Sequence, residues 1–253
     1  MSLFLLTLWC IVWIASGLIF FIHGFKVFKK KKIIEGTPTS KIRSLPIGLV
    51  EIRGEVIPAE GRIFKAPFTN EDCVYYKCVV QEEKRGRRGQ RIWITVKEEE
   101  KRDYFYLRDE TDLVLVDPRG AEVDLPANFE FKSGGDKEPP EPVKAYLLNN
   151  NISFQDNFGN SKTMKFYEYH IAPKDKLFIM GYAGDNPFVK EGWALRGVED
   201  IMIQKGGEIY YISNRSEKEI LSRLKKRSLL EIVLGAIIIV IGVVVILLYF
   251  RLL

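Results

Sequence analysis

The residues that could do acid–base chemistry in this chain are few. The 253 residues include only 2 histidines. His170 stands two positions after Glu168 and five before Asp175, so these three side chains are the first candidates for a hydrolase-like site. The sequence puts His170 on the polar face of an alternating segment with no obvious partner. We therefore expect a solvated or hydrogen-bonded histidine rather than a catalytic one.

The cysteines indicate neither a disulfide framework nor a metal site. There are 3 of them, and Cys10 lies inside an apolar run. Cys73 and Cys78 are an odd number of residues apart in a strand-like segment, so they should point to opposite faces. The chain also lacks the common serine-hydrolase, zinc-protease and nucleotide-binding motifs. From these patterns we predict no catalytic residue, no bound metal and no cofactor.

A cluster of basic residues away from the chain ends is the strongest charge feature of the middle region. It comprises Lys84, Arg85, Arg87, Arg88 and Arg91 and surrounds a predicted hairpin tip at residues 86–90. A solvated tip is the simplest interpretation. The alternative is a partner-binding surface formed by Arg85, Arg87, Arg88 and Trp93. The chain has 38 basic and 33 acidic residues, and this near balance gives no reason to expect a nucleic-acid partner.

Two uncharged apolar runs predict transmembrane helices at residues 3–25 and 232–250. Each is long enough to cross roughly 30 Å of hydrocarbon. A cleaved signal peptide would carry basic residues before its apolar core, whereas here the lysines follow the run. Gly235 and Gly242 lie seven residues apart, near one face of the second helix. They indicate either a close-packing seam or glycines that are simply tolerated.

The basic residues beside the two runs predict the orientation in the membrane. They lie between the runs, at Lys26, Lys29, Lys30, Lys31, Lys32, Lys225, Lys226 and Arg227. Because such residues favour the cytoplasmic side, we expect a cell-membrane protein with two spans and a cytoplasmic middle domain. Each flanking charge would also attract anionic headgroups, by about 1 kcal/mol.

The region between the spans reads as a mostly β soluble domain. A basic flank and linker occupy residues 26–44, and short alternating segments with turn signals fill 45–215. Residues 132–144 are rich in Pro, Gly and charge and predict a flexible loop. Ser216 and Glu219 form a capping box for a juxtamembrane helix at 216–231. The fold expected is a small barrel, or a sandwich-like domain, flanked by two transmembrane helices.

Several short stretches, in order, make the chain resemble a known family. They are Gly48-Leu49-Val50-Glu51 with Arg53-Gly54, Ala66-Pro67-Phe68, Cys73-Val74-Tyr75-Tyr76, Leu115-Val116-Asp117-Pro118, Gly120-Ala121, Ile212-Ser213 and Ser216-Glu217-Lys218-Glu219-Ile220-Leu221. Together with the flanking spans they resemble the GIDE/MULAN-type membrane E3 ubiquitin ligases and their RING-less prokaryotic relatives. The resemblance extends roughly over residues 42–250. It implies a β-rich domain beside a membrane, between two transmembrane helices.

The resemblance does not extend to the catalytic part of those ligases. Their RING follows the second helix and needs about eight Cys or His ligands for two zinc ions. This sequence has 3 cysteines and 2 histidines. Ubiquitin ligase activity is therefore unsupported, and no zinc ligand is carried over.

Three functional hypotheses follow from the sequence. The leading one is a membrane-anchored, non-catalytic interaction module that binds an unidentified protein or the lipid surface. The second is a membrane-bound, hydrolase-like enzyme that uses the three candidates around His170. The third is a structural, membrane-organising protein that forms homo-oligomers through Gly235 and Gly242.

Overall fold

The computed structural model describes residues 3–156, 159–189 and 197–249. The chain divides into two compact units. One comprises Met1–Pro38 and Arg215–Leu253, and the other comprises Thr39–Asn214. Trp193, an aromatic of the middle domain, and Phe250, the last residue of the second predicted span, lie outside the described residues.

Three helices and thirteen strands make up the described parts of the chain. In order they are α1 (Leu3–Gly36), β1 (Gly48–Pro58), β2 (Phe64–Lys65), β3 (Asp72–Cys73), β4 (Tyr75–Arg85), β5 (Arg91–Arg102), β6 (Phe105–Arg108), β7 (Leu113–Val116), β8 (Glu122–Asp124), β9 (Phe129–Lys132), α2 (Glu141–Asn149), β10 (Met164–Ile171), β11 (Lys176–Asp185), β12 (Ile201–Gln204), β13 (Tyr211–Ser213) and α3 (Glu217–Tyr249). Two short 3-10 turns lie at Ile42–Ser44 and Val198–Asp200.

The first unit contains two long helices that are apolar enough to cross a membrane, over Leu8–Gly36 and Glu217–Leu248. The first helix is longer than the predicted span over residues 3–25: α1 continues through the lysines to Gly36. The second begins at the predicted capping box. The backbone N–H of Ser216 donates to Glu219 Oε2 at 3.1 Å, and that of Glu219 donates to Ser216 Oγ at 3.4 Å. The juxtamembrane segment and the second apolar run thus form one unbroken helix.

Glycines bring α1 and α3 together as an antiparallel pair. A Cβ at Gly235 would lie 2.7 Å from the carbonyl oxygen of Gly17, and a Cβ at Gly24 would lie 2.9 Å from the backbone nitrogen of Ile232. A Cβ at Gly242 would lie 2.8 Å from Ile14 Cγ1. Side chains at these positions would push the backbones apart, so small residues set the close approach. The two glycines noted in the sequence therefore face a helix of the same chain.

The second unit contains a closed barrel of five strands, which confirms the prediction of a small barrel. The strand order is β1-β6-β7-β12-β11, and a pairing between β1 and β11 closes the ring. All neighbours are antiparallel except β7 and β12. β13 pairs with β11 and carries β8 in parallel beside it. The inward-facing side chains form one buried cluster that includes Val50, Ile52, Val56, Phe105, Leu107, Val116, Ile179 and Ile203.

A second, four-stranded antiparallel sheet of order β5-β4-β10-β9 has its own apolar core. The helix α2 contributes to that core through Val143, Tyr146 and Leu147. The prediction of a flexible loop over residues 132–144 is therefore wrong at its C-terminal end, where Glu141 begins α2. Pro140 is the N-cap, Pro142 lies in the first turn, where proline is tolerated, and Val143 is fully buried. The local composition hid this short helix because its stability comes from the sheet beneath it.

Candidate interaction surface

The hairpin formed by β4 and β5 presents the basic cluster noted in the sequence. Its strands pair from Tyr75↔Arg102 to Arg85↔Arg91. The chain reverses at residues 86–90, where the Gly86 N–H donates to the Gln90 carbonyl at 2.8 Å. Gly89 has a φ of +78°, a conformation that glycine adopts without strain. The predicted hairpin tip is therefore confirmed, with Arg87 and Arg88 in its turn and Arg85 paired with Arg91 at the ends of the two strands.

The basic side chains of this hairpin fall into two groups. Arg91 Nη1 lies 3.5 Å from Glu83 Oε2, and Lys84 Nζ lies 3.7 Å from Glu82 Oε2. Arg85, Arg87 and Arg88 are exposed and form no ion pair within residues 3–156, 159–189 and 197–249. The hairpin thus directs three guanidinium groups into solvent. We refer to Arg85, Arg87 and Arg88 as the arginine tip.

Apolar and aromatic side chains follow directly behind the arginine tip. Ile92 and Ile94 keep 40% and 39% of their surface exposed. Trp93 lies on the opposite face of β5 and is half-buried, with Lys165 Nζ 4.3 Å and Lys132 Nζ 5.5 Å from its ring centroid. Both distances permit a cation–π contact. The tryptophan therefore adds positive charge next to the tip by holding two lysines.

The other half of β5 carries acidic side chains that bond neighbouring side chains of the same domain. Glu99 accepts hydrogen bonds from the hydroxyl groups of Tyr76 and Tyr146, at 2.6 and 2.9 Å. The bond from Tyr76 is the main cause that holds the pKa of Glu99 below its ordinary value. Glu98 pairs with Lys77 at 2.6 Å, and the Tyr75 hydroxyl donates to Glu100 at 2.6 Å. The acidic half of β5 is thus engaged by side chains of the same domain, although Glu98 and Glu100 stay exposed.

The histidine considered for acid–base chemistry is buried, which corrects the expectation of a polar face without a partner. His170 is 2% exposed, and its Nε2 lies 3.1 Å from Glu71 Oε2. Its Nδ1 lies 3.4 Å from Oε1 of Glu168, which is fully buried. The Phe68 N–H and the Thr69 hydroxyl also donate to Glu168, at 2.5 and 2.6 Å. The sequence reasoning missed Glu71 because it lies 99 residues away.

The charges in this cluster favour an ion pair. Burial alone would lower the pKa of His170, but Glu168 and then Glu71 outweigh it and raise that pKa above its ordinary value. Burial would likewise raise the pKa of Glu168, but His170, Thr69 and Phe68 hold it below its ordinary value. The arrangement ties the segment at residues 68–71 to β10. Its central groups are enclosed, which suits a structural bond better than turnover of a substrate.

Asp175, the third candidate for acid–base chemistry, stabilises a turn. Its carboxylate accepts the Ala172 N–H at 2.8 Å and so closes the turn between β10 and β11. Among the described residues, no group of three or more His, Cys, Asp or Glu side chains is placed to hold a metal ion. Cys73 and Cys78 are buried and free, and burial raises their pKa to about 12 and about 11. These thiols are therefore poor nucleophiles and poor metal ligands.

The basic residues that flank the apolar runs lie on the two long helices. Those from Lys26 to Lys32 extend α1, and Lys225, Lys226 and Arg227 lie within α3. Because the helices are antiparallel, both groups stand towards the same end of the pair. Lys31 bonds Glu35 at 2.7 Å, and Arg227 Nε bonds Glu231 Oε1 at 2.9 Å. The lysines and arginines thus concentrate positive charge beside one end of the apolar segments.

The comparisons with known proteins identify a family. A search of curated proteins and a search of solved structures each found no match. The family described as GIDE, E3 Ubiquitin ligase, matches residues 76–247, from β4 into α3. This match covers more than half of the chain and includes the arginine tip, the Glu168–His170 part of the buried cluster and most of α3. The chain therefore belongs to the GIDE family.

Proposed function

We propose that this protein is a membrane-anchored interaction module whose β domain binds a partner at the cytoplasmic face of the cell membrane, without transforming a substrate. The observation that carries the membrane anchor is the exposure of the two long helices. Only 17% of the apolar window of α1 and 11% of that of α3 is buried. Soluble monomers rarely expose contiguous apolar patches of this extent, whereas lipid would cover them at no cost.

Two alternative explanations of these helices fit less well. A core helix of a soluble protein would be mostly buried. A cleaved signal sequence would leave the chain, yet α1 packs on α3 through Gly17 and Gly24 and stays helical through its lysines. A helical hairpin that spans the bilayer twice accounts for both the close glycine contacts and the exposed outer faces. The lysines and arginines at one end of the pair support our proposal that this end, and the domain, face the cytoplasm.

The exposed arginine tip supports the proposal that the β domain binds a partner. It presents three exposed guanidinium groups, whereas the residues with acid–base potential, Glu168 and His170, are enclosed. The hydrolase alternative would need a substrate to reach His170, which is 2% exposed. The membrane-organising alternative relied on Gly235 and Gly242, which face α1 of the same chain. The sequence has 3 cysteines and 2 histidines, so the proposal assigns no ubiquitin transfer to these residues.

The test is the topology of the full chain in sealed cells. A cysteine introduced at Gln90, in the exposed turn, is challenged with a membrane-impermeant maleimide before and after the membrane is opened. We expect labelling only after opening, together with retention of the chain in the membrane after alkaline carbonate extraction. Release by carbonate would refute the anchor. Labelling of intact cells would refute the cytoplasmic placement while leaving the anchor in place.

A further inference from the structure

We propose that the arginine tip is a second, electrostatic contact with the membrane and binds the phosphate groups of anionic lipid headgroups. The docking surface comprises Arg85, Arg87 and Arg88, with Ile92 and Ile94 behind them. This inference rests on the proposed function, because it takes the bilayer that holds α1 and α3 as the partner. It identifies what the exposed hairpin binds, which the family and the fold do not.

The first argument is the missing counter-charge. Five other arginines of the β domain, by contrast, have a carboxylate within 4 Å: Arg53, Arg62, Arg102, Arg108 and Arg119. The three tip arginines have none among the described residues. Glu82 and Glu83, the nearest acids along β4, are engaged by Lys84, Lys162 and Arg91. The positive charge of the tip is therefore available to an anion from outside the chain.

The second argument is the chemistry of the donors. A guanidinium group offers a planar fork of N–H donors that matches two phosphate oxygens at once. Lys132 and Lys165, held on Trp93, extend the same positive field along the sheet. At the strength typical of basic residues near an anionic surface, three arginines favour it over a neutral one by about 100-fold. The tip is thus suited to a surface with many phosphates rather than to one carboxylate.

The third argument separates lipid from nucleic acid. Single-stranded nucleic acid is bound by stacking bases on open aromatic rings. Trp93 is half-buried, and two lysine ammonium groups already lie near its ring. The exposed side chains beside the tip are instead Ile92 and Ile94, which favour the boundary between headgroups and acyl chains. Basic residues around an exposed aliphatic pair are the composition of an interfacial membrane contact.

The fourth argument is that the chain's own helices would hold the domain near the headgroups. A domain tied to the bilayer by its own helices meets the headgroups at a high effective concentration, so a weak contact becomes populated. A contact of this kind would be governed by the anionic lipid content and by salt, since surface charges are screened within about 10 Å at 0.1 M. Lipid composition would thereby control whether the hairpin is docked or open to a protein partner.

The experiment uses the full chain in nanodiscs, with a fluorescent NBD group on a cysteine introduced at Gln90. Doxyl-labelled lipid is the quencher. Nanodiscs of phosphatidylcholine alone are compared with nanodiscs that contain phosphatidylglycerol as about a third of the lipid. We expect at least about twofold more quenching in the anionic nanodiscs, and loss of the difference in 0.5 M salt. Native cysteines label little because Cys10, Cys73 and Cys78 are buried.

Matched variants assign the effect to the tip. The triple change Arg85→Glu, Arg87→Glu and Arg88→Glu should abolish the lipid dependence. The same charge change at three exposed lysines outside the four-stranded sheet, Lys65→Glu, Lys176→Glu and Lys205→Glu, should preserve it. A second label at Gly207→Cys, in the turn between β12 and β13, reports whether the whole domain moves.

Each outcome has a defined meaning. Equal quenching in both lipids, or loss of the effect in both triple variants, would overturn the docking surface. A tip that ignores anionic lipid but responds to a single-stranded oligonucleotide would assign it to nucleic acid and refute the lipid proposal. Failure of the chain to enter nanodiscs at all would instead refute the membrane anchor, so the two failures are distinguishable.

Discussion

His23 and Glu231 are 208 residues apart in sequence, yet the Nδ1 of His23 lies 2.6 Å from the Oε2 of Glu231. The first lies on α1 and the second on α3, where Arg227 bonds the other carboxylate oxygen at 2.9 Å. This polar contact joins two otherwise apolar surfaces at the end of the pair that carries the basic residues. Because hydrogen bonds are directional, this bond favours the same register of the two helices as the glycine contacts do.

Loss of either partner should loosen the helix pair. We expect His23→Ala and Glu231→Ala each to lower its stability by about 0.5–1.5 kcal/mol, with strong coupling in the double variant. The measurement is a double-mutant cycle of unfolding of the full chain in mixed micelles, followed by helical circular dichroism. Additive effects of the two changes would contradict a direct bond.

The glycine contacts predict a large difference between two similar substitutions. Gly235→Ala would place a Cβ 2.7 Å from two backbone atoms of α1, whereas a Cβ at Gly36 meets nothing within 4 Å. We expect Gly235→Ala to destabilise the helix pair by about 1–3 kcal/mol and Gly36→Ala to be neutral or slightly stabilising. Unfolding in micelles measures both. An oligomer of altered size with unchanged stability would favour packing between chains instead.

The buried carboxylate of β10 should be important for domain stability. Glu168→Ala leaves the Phe68 N–H and the Thr69 hydroxyl without their acceptor, so we expect a loss of about 2–4 kcal/mol. Glu130→Ala, on the adjacent strand β9 but exposed, should change stability by less than about 0.5 kcal/mol. Urea unfolding of the full chain, followed by tryptophan fluorescence, provides the comparison. Similar effects of the two changes would rule out the structural role.

The pair formed by Glu168 and His170 predicts a stability maximum in mild acid. The pKa of His170 is raised, so its contribution is complete below its ordinary value of 6.5 and is lost as the pH rises through the raised value. The pKa of Glu168 is lowered, so its contribution is present above 4.5 and is lost as the pH falls through the lowered value. His170→Gln should flatten the decline at high pH, measured as urea midpoints from pH 4 to 9. An unchanged profile would contradict the assignment.

Burial of the cysteines predicts slow alkylation. Since burial raises the pKa of Cys73 to about 12 and that of Cys78 to about 11, almost no thiolate forms at pH 8. We expect iodoacetamide to modify neither residue in the folded chain and both in urea, as read by mass spectrometry of peptides. Rapid modification of Cys73 in the native state would show that its surroundings open.

Sequence patterns predicted the elements that are stabilised by interactions between residues close together in the chain. Short alternating segments predicted strands, the turn signal at residues 86–90 predicted the hairpin tip, and Ser216 with Glu219 predicted the helix start. Each of these signals lies within a few residues, and the structure has each of them. The small barrel followed from many such short strands with turns between them.

The contacts that the sequence did not predict join distant residues. Nothing near His170 indicates that Glu71 lies against it, because β10 meets that segment only in the folded sheet. Gly17 and Gly24 of α1, which pack against Gly235 and Ile232 of α3, were missed for the same reason, although the glycines on α3 were noted. The helix α2 was hidden behind a proline-rich, charged stretch. Only the exposed arginine tip among the candidate sites could be read directly from the sequence.

The closing pair of the barrel, β1 with β11, has a consequence for biosynthesis. β1 ends at Pro58 and its partner β11 begins at Lys176. The two strands can therefore pair only after more than a hundred further residues have been synthesised. At typical translation rates this takes on the order of ten seconds. The long β4–β5 hairpin needs no distant partner and can form during this interval. We expect this hairpin to form before β10, which directly precedes β11, completes its sheet. Barrel closure would then be the slow step that leaves β1 open to chaperones.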